Sequence, residues 1–235
     1  MPNGPTNKIP AGRAHPIEAF AQSAFFRNLS LGEISEVVSR ATTVRLKKGS
    51  AVFERGDPAD YLYLVQDGLV KLECNSPSGK ATVVYIAIVG DTLNATAVHT
   101  GTYYLSAETI TDATLLRIDS RRYLEFVAKF PNLAIGIINV MASRLKTEWE
   151  RMVYVQREDA EVRVSEALCQ LGARLGTAFC ISRQVLADYV GLTIETTIRV
   201  LTRLKKKGFI TNSARRGEIV ISDLSGLQAI ARKAR

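Results

Sequence analysis

The sequence predicts an α+β chain of three parts: an antiparallel jelly-roll β-barrel, one long helix, and a C-terminal winged helix-turn-helix. Three observations carry that prediction. Between Thr42 and Ile118, short β-type runs follow one another closely, separated by Gly, Pro, Asp and Asn turns. From about Asn132 to Arg157 a helical pattern runs well past the usual length. From Ser182 to Ile221, two short capped helices precede two apolar runs around a polar turn. The expected bounds are 1–17 for an N-terminal arm, 18–130 for the barrel, 131–158 for the long helix and 159–235 for the winged domain.

Taken in order, the first 16 residues, MPNGPTNKIPAGRAHP, are rich in Pro, Gly and polar residues. They read as a flexible arm without the apolar core of an export signal. Helices are expected over IEAFAQSAFFRN and LGEISEVVSR, and strands over TTVRL, AVFER, YLYLV, LVKLE and ATVVYIAIV. SRRYLEFVAKF is a further helix, stopped before Pro131. In the long helix, Ile138, Met141, Leu145, Met152 and Val155 hold a seven-residue repeat, interrupted where Glu148 takes an apolar slot beside Trp149. That helix is apolar on more than one side, so parallel pairing with a second copy is the better use for it. The expected dimer contacts are Ile138, Met141, Leu145, Trp149 and Met152. Asp159 marks a hinge into the next helix, around EVRVSEALCQLGARLG.

The C-terminal signals are sharper. Thr193 caps a helix in which Thr197, Val200, Leu201 and Leu204 form one stripe, and Gly208 follows its end. Glu195, Arg199, Thr202, Arg203 and Lys206 lie roughly opposite. Alone, this face reads equally well as solvated, with one Glu–Arg pair. The preceding SRQVLADYV alters that reading, because Ser182 caps a second helix and Gly191 supplies a tight turn between the two. Such a pair can place its second helix in the DNA major groove, where Arg bonds guanine O6 and N7 and a carboxylate accepts from cytosine N4. Phe209–Ile210 and Ile219–Val220–Ile221 form a hairpin wing whose tip carries Arg215 and Arg216. The candidate DNA contacts are Ser182, Arg183, Thr193, Glu195, Thr196, Ile198, Arg199, Thr202, Arg203, Lys206, Arg215 and Arg216. Charge agrees: residues 160–235 hold 13 Lys and Arg against 6 Asp and Glu, whereas residues 1–159 hold 18 against 17. Nearly all the excess positive charge sits with the helix-turn-helix, as a polyanion footprint requires.

Other classes find little support. At 46% hydrophobic and 23% charged, the chain has globular composition, and no apolar run approaches the length of a membrane helix. Cys74, Cys169 and Cys180 are scattered without a CxxC, which suits a reducing cytoplasm. His15 and His99 stand 84 residues apart, and there is neither a Walker GKS/T nor a GxGxxG, so no catalytic or metal-binding set is expected.

Two stretches resemble a known family. LKKGSAVFERGDPADYLYLVQDGLVKL resembles the cyclic-nucleotide-binding-type jelly roll of the Crp/Fnr superfamily of bacterial transcription regulators. SRQVLADYVGLTIETTIRVLTRLKKKGFI resembles that family's helix-turn-helix. The resemblance covers nearly the whole chain. It implies a homodimer that binds palindromic double-stranded promoter DNA and works with RNA polymerase, with an effector setting the orientation of the DNA-binding domains. The recognition helix is more similar to the Fnr branch than to the cyclic-AMP receptor branch. Glu195 and Arg199 carry over. Ile198 stands where Fnr-like helices have Ser, and it offers a methyl contact to thymine instead.

The effector is where the family divides. The residues aligned with its pocket are Val89, Gly90, Asp91, Tyr103 and Tyr104, with no Arg between Asp91 and Leu116. A buried phosphate without a cation is costly, which argues against cyclic AMP. An Fnr-type iron–sulfur cluster needs four thiolates, and three cysteines exclude it. Haem, as in the family's gas sensors, stays open as an alternative through His15, Cys74, His99 or the Pro2 amine. So does a ligand-binding subunit that does not touch DNA, although it leaves the basic C-terminal part unexplained. Cys180, two residues before the helix-turn-helix, is a candidate redox switch or a small buried hydrophobe.

Overall fold

The computed structural model describes residues 16–21, 23–75, 81–155, 159–212 and 217–232. They form two compact units that divide within the long helix, between Thr147 and Glu148. Among the described residues, no single helix is long and apolar enough to cross a membrane.

The N-terminal unit opens with α1 (Pro16–Ala21) and α2 (Leu31–Ser39). The helix expected over IEAFAQSAFFRN is therefore short. From Ser23 the chain turns instead, with Ser23 Oγ accepting the Phe26 N–H, and Phe20, Phe25 and Phe26 are buried together. Packing three aromatic rings overrides helical continuation here. Ser30 closes a full capping box with Glu33, which defines where α2 starts.

Eight strands follow: β1 (Thr42–Leu46), β2 (Ala51–Phe53), β3 (Tyr61–Asp67), β4 (Val70–Asn75), β5 (Ala81–Ala87), β6 (Thr92–Leu93), β7 (Ser106–Thr109) and β8 (Ala113–Asp119). They pair antiparallel in two sheets, ordered β1-β8-β3-β6 and β2-β7-β4-β5. The apolar run of β3 reflects burial of both its faces. Tyr63 and Val65 join Phe53, Leu72, Tyr103 and Leu115 between the sheets, while Leu62 and Leu64 join the helices outside.

Helix α4 (Ser120–Lys129) is capped by the Asp119 carboxylate, which accepts from the amides of Arg121 and Arg122. Helix α5 (Pro131–Val155) begins on a proline, whose missing N–H costs nothing in a first turn. Leu133, Ile137 and Val140 pack on the helical cluster. At Gly136 the helix passes so near the chain that a Cβ would lie 2.2 Å from the Phe25 carbonyl oxygen. One turn past Val140, Arg144 donates Nη2 to the Thr92 carbonyl at 2.8 Å and lies over the Tyr85 ring at 4.5 Å. The opposite stripe, Ile135, Ile138, Met141, Leu145, Trp149 and Met152, is 48–62% exposed.

The C-terminal unit contains α6 (Ala160–Leu175), β9 (Ala178–Cys180), α7 (Arg183–Val190), α8 (Ile194–Lys206), β10 (Ile210–Asn212), β11 (Glu218–Ile221) and α9 (Leu224–Arg232). The expected hairpin is present as β10 against β11, and β9 adds a third antiparallel strand with Phe179 opposite Ile219. Val162, Leu168, Leu186, Val200, Leu204, Ile219 and Leu227 are buried.

Candidate nucleic-acid interface

Two short helices need two well-made starts. Ser182 Oγ accepts the Val185 N–H at 3.1 Å, and Thr193 Oγ1 accepts the Thr196 N–H at 3.2 Å. Between them Gly191 ends α7 at φ 68°, a left-handed conformation that glycine adopts without steric cost. The Leu192 N–H then returns to the Ala187 carbonyl at 3.0 Å, so only three residues separate the helices.

The sequence stripe of α8 is the buried one: Thr197, Val200, Leu201 and Leu204. Thr197 is tolerated there because its hydroxyl donates to the Thr193 carbonyl at 3.0 Å. Glu195, Ile198, Arg199, Thr202, Arg203 and Lys206 are exposed, and Thr196 is half-buried. Arg199 Nη2 donates to Thr196 Oγ1 at 3.1 Å, which aims the guanidinium back toward the start of the helix. Thr202 donates to the Ile198 carbonyl at 2.9 Å.

Four candidate contacts differ from the rest. Arg203 is not free: its Nη1 lies 3.3 Å from Glu161 Oε2, and Lys207 pairs with the other oxygen of the same carboxylate. Sequence reading passed over both Glu161 and Lys207; the run of three lysines was the only signal for the latter. Ser182 is exposed, but Arg183 is half-buried. Its Nη1 is enclosed without a partner among the described residues, and burial holds the guanidinium pKa below its ordinary value. Arg215 and Arg216, expected at the wing tip, lie outside the described residues. Cys180 is half-buried in β9, opposite Glu218 in the register.

The barrel candidates separate. Val89, Gly90 and Asp91 form the β5–β6 turn, where the Asp91 carboxylate accepts from Tyr85 Oη at 3.1 Å and the Ile88 amide at 2.8 Å. Tyr103 is core: it stacks on Phe53 at 3.8 Å between centroids, donates to the Tyr61 carbonyl, and burial raises its phenol pKa. Tyr104 is exposed, with its hydroxyl bonded to Thr96 Oγ1. Of the groups considered for haem, Cys74 lies half-buried in β4 and His99 exposed in the short helix α3 (Ala97–Thr100); Pro2 and His15 are outside the described residues.

This arrangement matches known proteins at both ends of the chain. Residues 43–130 match the cyclic nucleotide-binding domain family, and residues 162–230 match the Crp-like helix-turn-helix domain family. The chain belongs to the Crp/Fnr superfamily. Among curated superfamily members, it is 26% identical over 209 residues to the transcriptional activator protein Anr of Pseudomonas aeruginosa, covering 86% of this chain and 84% of that one. It is 29% identical over 221 residues to the nitrogen fixation regulation protein FixK of Bradyrhizobium diazoefficiens, covering 91% and 92%. In fold it is similar to the solved structure of FixK2 from Bradyrhizobium japonicum, with a TM-score of 0.73 at 23% identity over 81% of this chain and 96% of that one. The protein is thus a Crp/Fnr-type transcription regulator with a helix-turn-helix DNA-binding domain, and its homologues are regulators rather than enzymes.

Proposed function

We propose that the protein is a cytoplasmic homodimer that binds palindromic promoter sites with α8 in the major groove and acts with RNA polymerase, as an activator. Residues 18–130 serve as the sensor, 131–158 as the dimer helix and 159–235 as the DNA-binding part. The observation that carries this reading is the outward face of α8, where Glu195, Ile198 and Arg199 stand exposed within the first two turns on a helix start capped by Thr193. Arg199 reads guanine, Glu195 accepts from cytosine and Ile198 meets a thymine methyl. Ser182, Thr193, Thr196, Thr202 and Lys206, with Arg215 and Arg216 at the wing, touch the backbone.

Dimerisation uses the exposed stripe Ile138, Met141, Leu145, Trp149 and Met152. Its seven-residue spacing suits a parallel pair, whose two-fold axis a palindrome mirrors. Anr, to which this chain is 26% identical over 209 residues, is named an activator. The effector is neither cyclic AMP nor an iron–sulfur cluster: no Arg stands between Asp91 and Leu116 to pair a phosphate, and three cysteines fall one short of the four thiolates that an Fnr-type cluster needs.

Fluorescence anisotropy with a set of palindromic duplexes and scrambled controls tests this. Palindromes should bind with a preference that depends on their G·C positions, and equal binding to all sequences would overturn the reading. Calorimetric titration with cyclic AMP should show no saturable heat.

A further inference from the structure

Glu161 stands in the first turn of α6, where the Asp159 carboxylate receives its backbone N–H at 2.8 Å. Its side chain is turned inward and is only 12% exposed. Both carboxylate oxygens are occupied. Oε2 accepts from Arg203 Nη1 at 3.3 Å, and Oε1 accepts from Lys207 Nζ. Arg203 and Lys207, the C-cap residue of α8, lie one turn apart in line with Thr196 and Arg199. One largely buried carboxylate therefore holds the two cations at the far end of that row. Two oxygens facing a guanidinium and an ammonium is also what a backbone phosphate would present to them.

We propose that Glu161 is a positioning and specificity residue, standing in for a DNA phosphate so that Arg203 and Lys207 hold α8 against α6 instead of gripping duplex of any sequence. The inference rests on the DNA-binding reading of α8. Its logic is electrostatic. Affinity for arbitrary duplex grows with each phosphate neutralised, whereas base discrimination comes from the groups that meet base edges. Two cations withdrawn from the first task leave Arg199 and Glu195 to decide where the protein binds. Lys205 and Lys206 stay exposed beside them and keep the surface attractive to DNA.

The test uses the full chain and Glu161→Gln, which keeps the side chain's size and removes its charge. Binding to a palindromic and to a scrambled duplex is measured across a salt series. With the scrambled duplex, the slope of log affinity against log salt should steepen by about 1–2 per DNA-binding domain, and affinity at low salt should rise about five- to tenfold. The palindrome should gain less, so the ratio of specific to non-specific affinity falls. Lys207→Gln supplies the second arm. It should leave the slope nearly unchanged in the native background, yet remove about half of the increase in the Glu161→Gln background. A purely structural glutamate would lower both affinities together, with an unchanged slope and a lower melting temperature, and that result overturns the proposal. So does a Lys207→Gln effect of equal size in both backgrounds. A native protein that binds neither duplex overturns the reading of α8 itself, and the role of Glu161 falls with it.

Discussion

Helices α5 and α8 are built alike and exposed differently. Each buries one stripe: Leu133, Ile137 and Val140 on α5, and Thr197, Val200, Leu201 and Leu204 on α8. Opposite, α5 shows Ile138, Met141, Leu145, Trp149 and Met152, whereas α8 shows Glu195, Arg199, Thr202, Arg203 and Lys206. Periodicity establishes that both are amphipathic helices, but only the chemistry of the second face says what it meets. An apolar face left in water is completed by another apolar face, and a cationic face with hydroxyls by a polyanion. Arg203 refines the rule, since its charge is already spoken for by Glu161.

Substitutions that exchange these characters separate the two faces. The largest effect is expected from Leu145→Glu, which sets like charges against each other across the α5 seam. Each uncompensated buried charge costs about 3–5 kcal/mol. Sedimentation should then report a monomer, with palindrome binding lost; a stable dimer would move the interface elsewhere. Next comes Arg199→Ala, at about 1–3 kcal/mol per half-site, with preference relaxed at one base pair in a competition assay over all four pairs.

Gly136→Ala probes the inner face of α5. The added methyl must displace the Phe25 carbonyl, which should destabilise the N-terminal unit by about 1–3 kcal/mol in denaturant melts without altering base preference. Thr193→Ala removes the cap of α8, and about 1 kcal/mol of stability should go with it. Smallest is Lys206→Ala, which should weaken all duplexes alike and reduce the salt slope by about 1. Sequence-dependent loss there would assign Lys206 to a base edge.

Features local in sequence were legible. The caps at Ser182 and Thr193, the turn at Gly191 and the stripe of α8 each occupy a few consecutive residues, and all are present. What escaped were pairings made by the tertiary fold. Arg203 and Lys207 meet Glu161 across 42 and 46 residues. Arg144 reaches Thr92 across 52, so the guanidinium that α5 brings to the end of β6 is not announced by the strand sequences. Three residues of β9 hold too little pattern to announce a strand. Tyr103 and Tyr104, adjacent and chemically identical, went to the core and to the surface: one ring stacks on Phe53, while the other stands at a bend before β7 with its hydroxyl on Thr96.

The contact at Gly136 has a mechanical meaning. Successive side chains of a helix are set about 100° of rotation and about 1.5 Å of rise apart. Here one position alone lacks a side chain opposite the Phe25 carbonyl, and its neighbours Ile135 and Ile137 are both branched. Bringing either neighbour to this point would drive a Cβ into a backbone oxygen. The near end of the helix is indexed like a pin in a notch. A shift of register by one residue has no room here, so the contact fixes which residue of α5 faces Phe25.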